Sequence, residues 1–287
     1  MTNGSTSSSW KEENGMIDSP SSSYQTIGKA AKFLKLDFSA EDMAAFAKEY
    51  EITTDSLRCI EELFVRMQEN KQKNIVRTLL KLSRLPLKEP KTFDTFDFGR
   101  FHGKQADELE NLPTLAALYA STNLALIGPQ GIGKTHLAMA FGRECCNHAL
   151  KTYFLKATEL NQKLLQARKN GNVERVVKSL VKPSCLIIDE LGYCNFDTEN
   201  TRIFFDIVDR RYSKDTPNTM IVTSNTEPDK WVTFFNDEPA LKCAMDRFFD
   251  KALLISMKGR SYRGNCRRKI EVVAGNGMTQ KPEQSNY

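Results

Sequence analysis

The chain has 287 residues, of which 40% are hydrophobic and 27% are charged, a composition typical of a soluble globular protein. No apolar run approaches the roughly 20 residues that cross a bilayer, so we expect no membrane-spanning helix and a cytoplasmic location. The formal net charge of +5 identifies no partner by itself, but the basic residues are unevenly distributed.

The chain begins with a serine-rich segment, and residues 1–26 are predicted to be a disordered lead. This segment has no apolar core and no clean basic start, so we do not expect it to be a secretory signal. Residues 27–90 are predicted to form a small helical module, in which Ser39 is the expected N-cap of one helix. Pro86 and Pro90 end the helical pattern.

Positive charge is concentrated in two stretches. Residues 66–91 contain eight basic residues against two acidic ones, and residues 258–269 contain six basic residues and no acid. Two basic clusters that flank an α/β core suggest a polyanion partner, with nucleic acid the first candidate. A basic helix face is also common as plain solvated surface, so charge alone leaves this question open.

The domain predicted over residues 91–264 alternates short apolar runs with amphipathic stretches, which indicates α/β architecture: a parallel sheet with helices on both faces. The predicted strands are NLALI, TYFL, CLIID, TMIVTSN and ALLIS. The linker before them carries phenylalanines that are expected to dock it onto this domain, namely Phe93, Phe96, Phe98 and Phe101. Residues 265–287 lose the periodicity and are predicted to be a flexible tail.

The segment GPQGIGKT, from Gly128 to Thr135, fits the pattern G-x-x-x-x-G-K-[ST] of a phosphate-binding loop and lies between a predicted strand and a predicted helix. Its glycines let several backbone N–H groups point at one phosphate cluster, and the helix N-terminus adds its positive end. We expect Lys134 to reach the β- and γ-phosphates and Thr135 to bind Mg²⁺. The residues expected to bind the nucleotide are Gly128, Pro129, Gln130, Gly131, Ile132, Gly133, Lys134, Thr135 and His136.

Polar residues follow two further predicted strands. Asp189 ends CLIID, where its carboxylate would hold Mg²⁺, and Glu190 comes next as the residue expected to polarise the attacking water. Asn225 ends TMIVTSN. It would face the γ-phosphate if that strand lies between the strands NLALI and CLIID. This combination predicts water as the phosphate acceptor, which argues against the alternative of a small-molecule kinase.

Two arginines complete the set of candidate residues. Arg247 is predicted to lie on a helix before the last strand, and Arg263 follows that strand. An arginine that reaches a phosphate on another subunit needs a rigid fork and a permanent charge. The alternative is an ordinary salt bridge between Arg247 and Asp246 or Asp250, and the residues alone leave the two open.

With these elements in this order, the chain resembles AAA+ P-loop ATPases of the initiator and helicase-loader clade, most closely the IstB-like helpers of insertion-sequence transposition. The resemblance covers roughly residues 77–264, and its most specific segments are LPLKEPKTFDTFDF, NLALIGPQGIGKTHLAMAFG, CLIIDELGY and MDRFFDKALLISMKGRSYR. It implies ATP and Mg²⁺ as ligands and linker phenylalanines that close over the adenine. The catalytic residues it implies are Lys134, Glu190 for hydrolysis, Asn225 as a sensor, Arg247 as a finger reaching the neighbouring subunit, and Arg263 as a second sensor.

The resemblance also implies partners. ATP would bridge the subunits of a ring or helical homo-oligomer on double-stranded DNA, a transposase would be recruited, and hydrolysis would end the assembly. The residues expected to grip the DNA backbone are Lys73, Arg77, Lys81, Arg84, Lys163, Arg168 and Lys169. The nearest alternative is a replicative helicase loader of the DnaC or DnaI type. A scaffold without turnover is less favoured, because Lys134 and Glu190 are intact.

Overall fold

The structure is a computed structural model that describes residues 20–103 and 106–262. Its N-terminal part consists of three helices, α1 (Pro20–Leu34), α2 (Ala40–Glu49) and α3 (Thr54–Leu82). The predicted cap of α2 is confirmed, because the Ser39 hydroxyl accepts from the Asp42 N–H while the Asp42 carboxylate accepts from the Ser39 N–H. This reciprocal pair fixes the start of α2.

The first helix corrects the predicted boundary of the disordered lead. Helix α1 begins at Pro20, so the prediction for residues 1–26 is wrong over residues 20–26, and residues 1–19 lie outside the described part. The helix forms because Ile27 is fully buried in a small core with Met43 and Leu57. The serine-rich composition did not indicate this apolar face, because the face is recognised only from its packing against α3.

The remaining residues build an α/β fold around a five-stranded sheet in the order β2-β3-β4-β1-β5, with every neighbouring pair parallel. The strands are β1 (Asn123–Ile127), β2 (Thr152–Lys156), β3 (Cys185–Leu191), β4 (Thr219–Ser224) and β5 (Ala252–Ser256). All five predicted strands are therefore confirmed. Strand β4 lies between β3 and β1, which is the condition set by the Asn225 prediction.

Helices cover both faces of the sheet. They are α4 (Ala106–Glu110), α5 (Ala116–Tyr119), α6 (Lys134–Asn147), α7 (Ala157–Lys169), α8 (Val173–Val181), α9 (Thr198–Tyr212) and α10 (Glu238–Asp250). Short 3-10 helices lie at Phe98–Arg100, Leu112–Thr114 and Pro228–Phe234. No helix within residues 20–103 and 106–262 has the length and apolar character needed to cross a membrane.

Two hydrophobic cores lie on opposite faces of the sheet. Ala125 and Ile127 of β1 belong to one core and Leu124 and Leu126 to the other, the alternation that a strand buried on both faces produces. The second core also receives the linker phenylalanines, which are Phe93, Phe96, Phe98 and Phe101. Their predicted docking onto this domain is confirmed, and it brings the linker beside the loop that follows β1.

Candidate functional site

The candidate site lies at the carboxyl edge of the sheet, where β1, β3 and β4 end side by side. Strand β1 leads into the loop Gly128–Thr135, Asp189 and Glu190 lie near the end of β3, and Asn225 follows β4. The order of the strands thus brings together groups that are as far apart in sequence as Lys134 and Asn225, which are separated by 91 positions.

Lys134 is the buried cation of this site. Its ammonium donates to the Gly128 carbonyl at 2.7 Å, the Pro129 carbonyl at 2.9 Å and Asn225 Oδ1 at 2.7 Å, and the residue is 7% exposed. Burial lowers the pKa of Lys134, while the charges of Asp189 and Glu190 act in the opposite direction. An ammonium held among oxygens at the mouth of a glycine-rich loop is placed to bind a phosphate.

Asp189 is the buried acid of the site, only 1% exposed. Its Oδ1 accepts from Thr135 Oγ1 at 2.7 Å and from Thr223 Oγ1 at 2.6 Å. Burial raises the pKa of Asp189, and the hydrogen bonds from Thr223 and Thr135 partly offset that rise. A hydroxyl and a carboxylate in direct contact are hard oxygen ligands of the kind that Mg²⁺ prefers.

Glu190 sits beside Asp189 but faces a different partner. Its backbone has a φ of +60°, and the register between β3 and β4 shifts at this point of the strand. The Glu190 N–H donates to Thr223 Oγ1 at 3.0 Å, which helps to hold this left-handed conformation. The carboxylate, 39% exposed, pairs with Lys156 Nζ at 2.9 Å.

Asn225 connects the lysine to a residue that the sequence did not single out. Its Oδ1 accepts from Lys134, and its Nδ2 donates to the Tyr193 hydroxyl at 2.6 Å. The two contacts fix which way the amide points. The sequence did not indicate Tyr193, Thr223 or Lys156 as residues of the site. The only signal for Lys156 was that it ends a predicted strand, β2, which the structure places next to β3.

The linker forms one wall of the site. Phe96 lies so close to Gly133 that a Cβ there would come within 2.8 Å of its ring, and Gly133 has a φ of +115°, so both space and backbone favour glycine. A cavity of about 500 Å³ opens here, within the usual size range of ligand pockets. Its lining includes Phe96, Gly131, Gly133, Lys134, Thr135, His136 and Tyr262.

The predicted nucleotide-binding residues are not equivalent in their surroundings. Ile132 is 2% exposed and its side chain belongs to the core, so only its backbone is available to a ligand. His136 Nε2 lies 2.8 Å from the Thr92 carbonyl, and burial lowers the pKa of this histidine. His136 therefore connects α6 to the linker.

Arg247 lies at the opposite, amino edge of the sheet. Its Nε pairs with Asp209 Oδ1 at 2.6 Å, and it lines a cavity with Asn123 and Met220, which stand at the starts of β1 and β4. A salt bridge is thus present, but its partner is Asp209 of α9, not Asp246 or Asp250. Arg263 lies outside the described residues.

The basic residues expected to contact DNA fall into two groups. Lys73, Arg77 and Lys81 are exposed at four-residue steps along α3, so they share one helix face. An open cavity of about 630 Å³ is lined by Arg84, Glu159, Gln162, Lys163, Leu165, Gln166 and Lys169. We call these two groups together the basic surface.

Arg168, which is also expected to contact DNA, is tied to another helix, and its DNA contact stays a prediction. Its Nη1 pairs with Asp197 Oδ2 at 2.7 Å and donates to Asn200 Oδ1 at 3.2 Å. Asp197 is the N-cap of α9, so Arg168 fastens α7 to the start of that helix. The sequence placed Arg168 next to Lys169 on a basic stretch but did not show that its side chain pairs with Asp197.

The chain is similar to a known protein family and to several of its members. The family model described as IstB-like ATP binding protein matches residues 29–270. A Geobacillus stearothermophilus protein named as an ATP-binding protein of insertion sequence IS5376 is 36% identical over 233 residues, covering 80% of this chain and 90% of the relative. A Bacillus thuringiensis counterpart named for insertion sequence IS232 is 30% identical over 245 residues, covering 84% and 95%.

Solved structures also show similarity. DnaA from Aquifex aeolicus, bound to AMPPCP, matches with a TM-score of 0.49 and 21% identity, covering 60% of this chain and 51% of that chain.

Proposed function

Because the chain belongs to the family of IstB-like ATP-binding proteins, which makes it an AAA+ P-loop ATPase, we propose that it assembles on double-stranded DNA and assists a transposase. The relatives' names, which refer to insertion sequences, support the transposase as partner. The observation that carries the role of ATP is the meeting of Lys134, Asn225, Thr135 and Asp189 at one edge of the sheet.

The residues of the site fit a nucleotide together with Mg²⁺. Phosphate oxygens would take the place of the loop carbonyls now bound by Lys134, and the nucleotide base would lie against the linker at Phe96. Thr135 and Asp189 would hold Mg²⁺, which when bound neutralises charge on the phosphates. Within the described residues no three His, Cys, Asp or Glu side chains gather to hold a metal alone, so the nucleotide would complete the ligand set.

Hydrolysis requires a base that reaches water next to the γ-phosphate. Glu190 is the proposed base, because its carboxylate is half-exposed whereas Asp189 is buried and bonded to two hydroxyls. The pair between Glu190 and Lys156 must open for this role, since a carboxylate engaged by an ammonium is a weaker base. Asn225, oriented by Tyr193, would help to position the water.

The two edges of the sheet suggest how subunits are arranged. The loop at Lys134 lies at the carboxyl edge and Arg247 lies at the amino edge, so one subunit cannot bring the two together. In a head-to-tail contact, Arg247 of one subunit would leave Asp209 and approach the nucleotide of the next. Such heterologous contacts generate rings or helical filaments.

DNA would bind to the basic surface. The face of α3 that carries Lys73, Arg77 and Lys81, in the proposed helical module of residues 27–90, would contribute one part. Arg84, Lys163 and Lys169 beside α7 would contribute the other. Contacts of this kind go to phosphates, so binding would be largely independent of sequence and sensitive to salt.

The variant Glu190→Gln tests the proposal. Its carboxamide keeps the shape of the side chain but cannot act as a base, so ATP and the DNA assembly should both be retained while turnover falls about 100-fold or more. Assembly is followed by mixing protein, ATP and duplex DNA and timing the loss of the large complex. The account requires complexes of Glu190→Gln to persist longer than those of the wild type.

The matched control is Glu199→Gln, an exposed acid on α9 that pairs with Arg202. It should behave as wild type. Equal lifetimes for Glu190→Gln and wild type would show that hydrolysis does not end the assembly. Preferential binding to single-stranded DNA would instead favour the helicase-loader alternative.

A further inference from the structure

The residues that follow β5, 257–262, lie directly on the phosphate-binding loop. A Cβ on Gly131 would meet the side chain of Ser261, so the two segments are in close contact. The Tyr262 N–H donates to the Gly131 carbonyl at 2.9 Å, which fixes the backbone of the segment to the loop. This contact brings the side chain of Tyr262 to the mouth of the loop, a residue that the sequence did not single out.

The ring of Tyr262 is held from the linker. The guanidinium of Arg100 lies over the ring, with Cζ 3.7 Å from the centroid, and Arg100 Nη2 also donates to the Arg260 carbonyl at 3.0 Å. The Tyr262 hydroxyl donates to the Asp97 carbonyl at 3.3 Å. These contacts engage one face and the outer end of the ring, so its orientation is set without a ligand.

The opposite face of the ring is turned to the cavity at the loop. Tyr262 lines the cavity of about 500 Å³ that Lys134 and Thr135 also line, whereas Arg100 lines another cavity, beside β5. The ring therefore stands between the guanidinium and the loop cavity. Its edge is 3.7 Å from the position that a Cβ on Gly133 would take, which places it at the phosphate-binding backbone itself.

The cavity is also lined by Phe96, but that ring is already covered. Three rings pack against it at centroid distances between 4.9 and 5.7 Å, namely those of Phe98, Phe101 and His136. Phe96 is consequently only 7% exposed, whereas Tyr262 is half-buried. Tyr262 thus retains more aromatic surface for a ligand than Phe96 does.

We infer that Tyr262 stacks on the base of the bound nucleotide, while Arg100 holds the ring from its other face. Every nucleobase has a π-face that gains from contact with an aromatic ring, so the contact senses that a base is present and tolerates its identity. Lys134 and the loop bind the phosphates whether or not a base is attached. The inference rests on the proposed place of the nucleotide in this cavity, but not on DNA or a transposase.

The test compares ATP with inorganic tripolyphosphate, which carries the phosphates but no base. Each ligand is titrated by calorimetry into the full chain with Mg²⁺ present. Tyr262→Leu should weaken ATP about tenfold and leave tripolyphosphate unchanged, because the base loses its ring while the backbone bond to Gly131 remains. Tyr262→Phe keeps the ring and should restore most of the affinity. Arg100→Met should weaken ATP by only about threefold.

Tyr119→Leu is the control, an exposed tyrosine of α5 that should bind both ligands as the wild type does. Equal weakening of ATP and tripolyphosphate in Tyr262→Leu would mean that the side chain only supports the loop, and it would overturn the inference. Unchanged ATP affinity in Tyr262→Leu would do the same, as would a wild type that binds ATP no more tightly than tripolyphosphate. A wild type that binds neither ligand would overturn it together with the proposed role of the loop.

Discussion

The two edges of the central sheet each hold a buried cation, but in opposite electrostatic settings. At the carboxyl edge, Lys134 lies near the carboxylates of Asp189 and Glu190. At the amino edge, Arg211 is surrounded by six neutral oxygens and by no carboxylate within the described residues. The first cation contacts few backbone atoms, whereas the second connects several segments of the chain.

We interpret this difference as one between a cation proposed to bind phosphate and a cation that holds the fold. The contacts of Lys134 are with its own loop and with Asn225, so they can be exchanged for phosphate oxygens. The contacts of Arg211 join the end of α8, the turn before β3 and the start of β4. Loss of Arg211 would leave those carbonyls without donors.

The largest expected effect comes from removing each cation in turn. Arg211→Met should lower the free energy of unfolding by about 3 kcal/mol or more, roughly 6–12 °C in Tm, because several buried carbonyls lose their donor. Lys134→Met should change stability by about 1 kcal/mol or less, because it also removes a burial penalty. It should weaken nucleotide binding about 100-fold or more. Thermal unfolding and titration with a fluorescent ATP analogue measure the two effects.

Equal destabilisation by Arg211→Met and Lys134→Met would contradict the distinction between the two cations. The conservative variant Arg211→Lys provides an internal control, because it keeps the charge but cannot reach all six oxygens. Its Tm should fall between those of the wild type and Arg211→Met.

A smaller effect is expected at the pair that holds Glu190. Lys156→Met should raise the ATPase rate up to about fivefold, because a half-exposed ion pair contributes at most about 1 kcal/mol and its loss frees the carboxylate. Steady-state hydrolysis without DNA gives the rate, and Lys163→Met, a nearby lysine on α7, is the control. An unchanged or lower rate in Lys156→Met would mean that this lysine does not restrain Glu190.

The smallest expected effect is a shift in pH dependence at Asp189. The hydrogen bond from Thr223 lowers the pKa of this buried acid, so Thr223→Val should raise that pKa further. Mg²⁺ binding needs the ionised carboxylate, and the acid limb of the profile of kcat/KM against pH should therefore move to higher pH. The control is Thr219→Val, on the same strand, whose hydroxyl donates to the Thr122 carbonyl. If the acid limbs of the two variants lie at the same pH, Thr223 does not lower the pKa of Asp189.

The sequence predicted best those residues whose positions follow from where strands end. Lys134, Asp189 and Asn225 meet because the carboxyl ends of parallel strands share one edge, a rule that needs only correct strands. The pair between Lys156 and Glu190 depends in addition on β2 lying next to β3, and strand order cannot be read from periodicity. Thr223 was not identified for the same reason, because its contact with Asp189 depends on β4 lying next to β3.

The partners of two arginines, Arg211 and Arg168, were the least predictable feature. Arg211 is the second of two arginines in the last turn of α9, a position where basic residues usually face solvent and favour the helix dipole. Its burial is decided by carbonyls from distant segments, which leave no local signal. The ion pair of Arg168 was not foreseen for the same reason, because its partner Asp197 caps another helix.

The central claim is that the nucleotide held at the carboxyl edge of one subunit is completed by the amino edge of the next. The direct measurement is DNA-stimulated ATP hydrolysis by Lys134→Ala protein, by Arg247→Ala protein and by an equal mixture of the two. Each variant alone should be inactive. The mixture should recover to about one quarter of the wild-type rate, because a random neighbour pair combines an intact Lys134 with an intact Arg247 that often. A mixture no more active than its separate components would contradict the shared site.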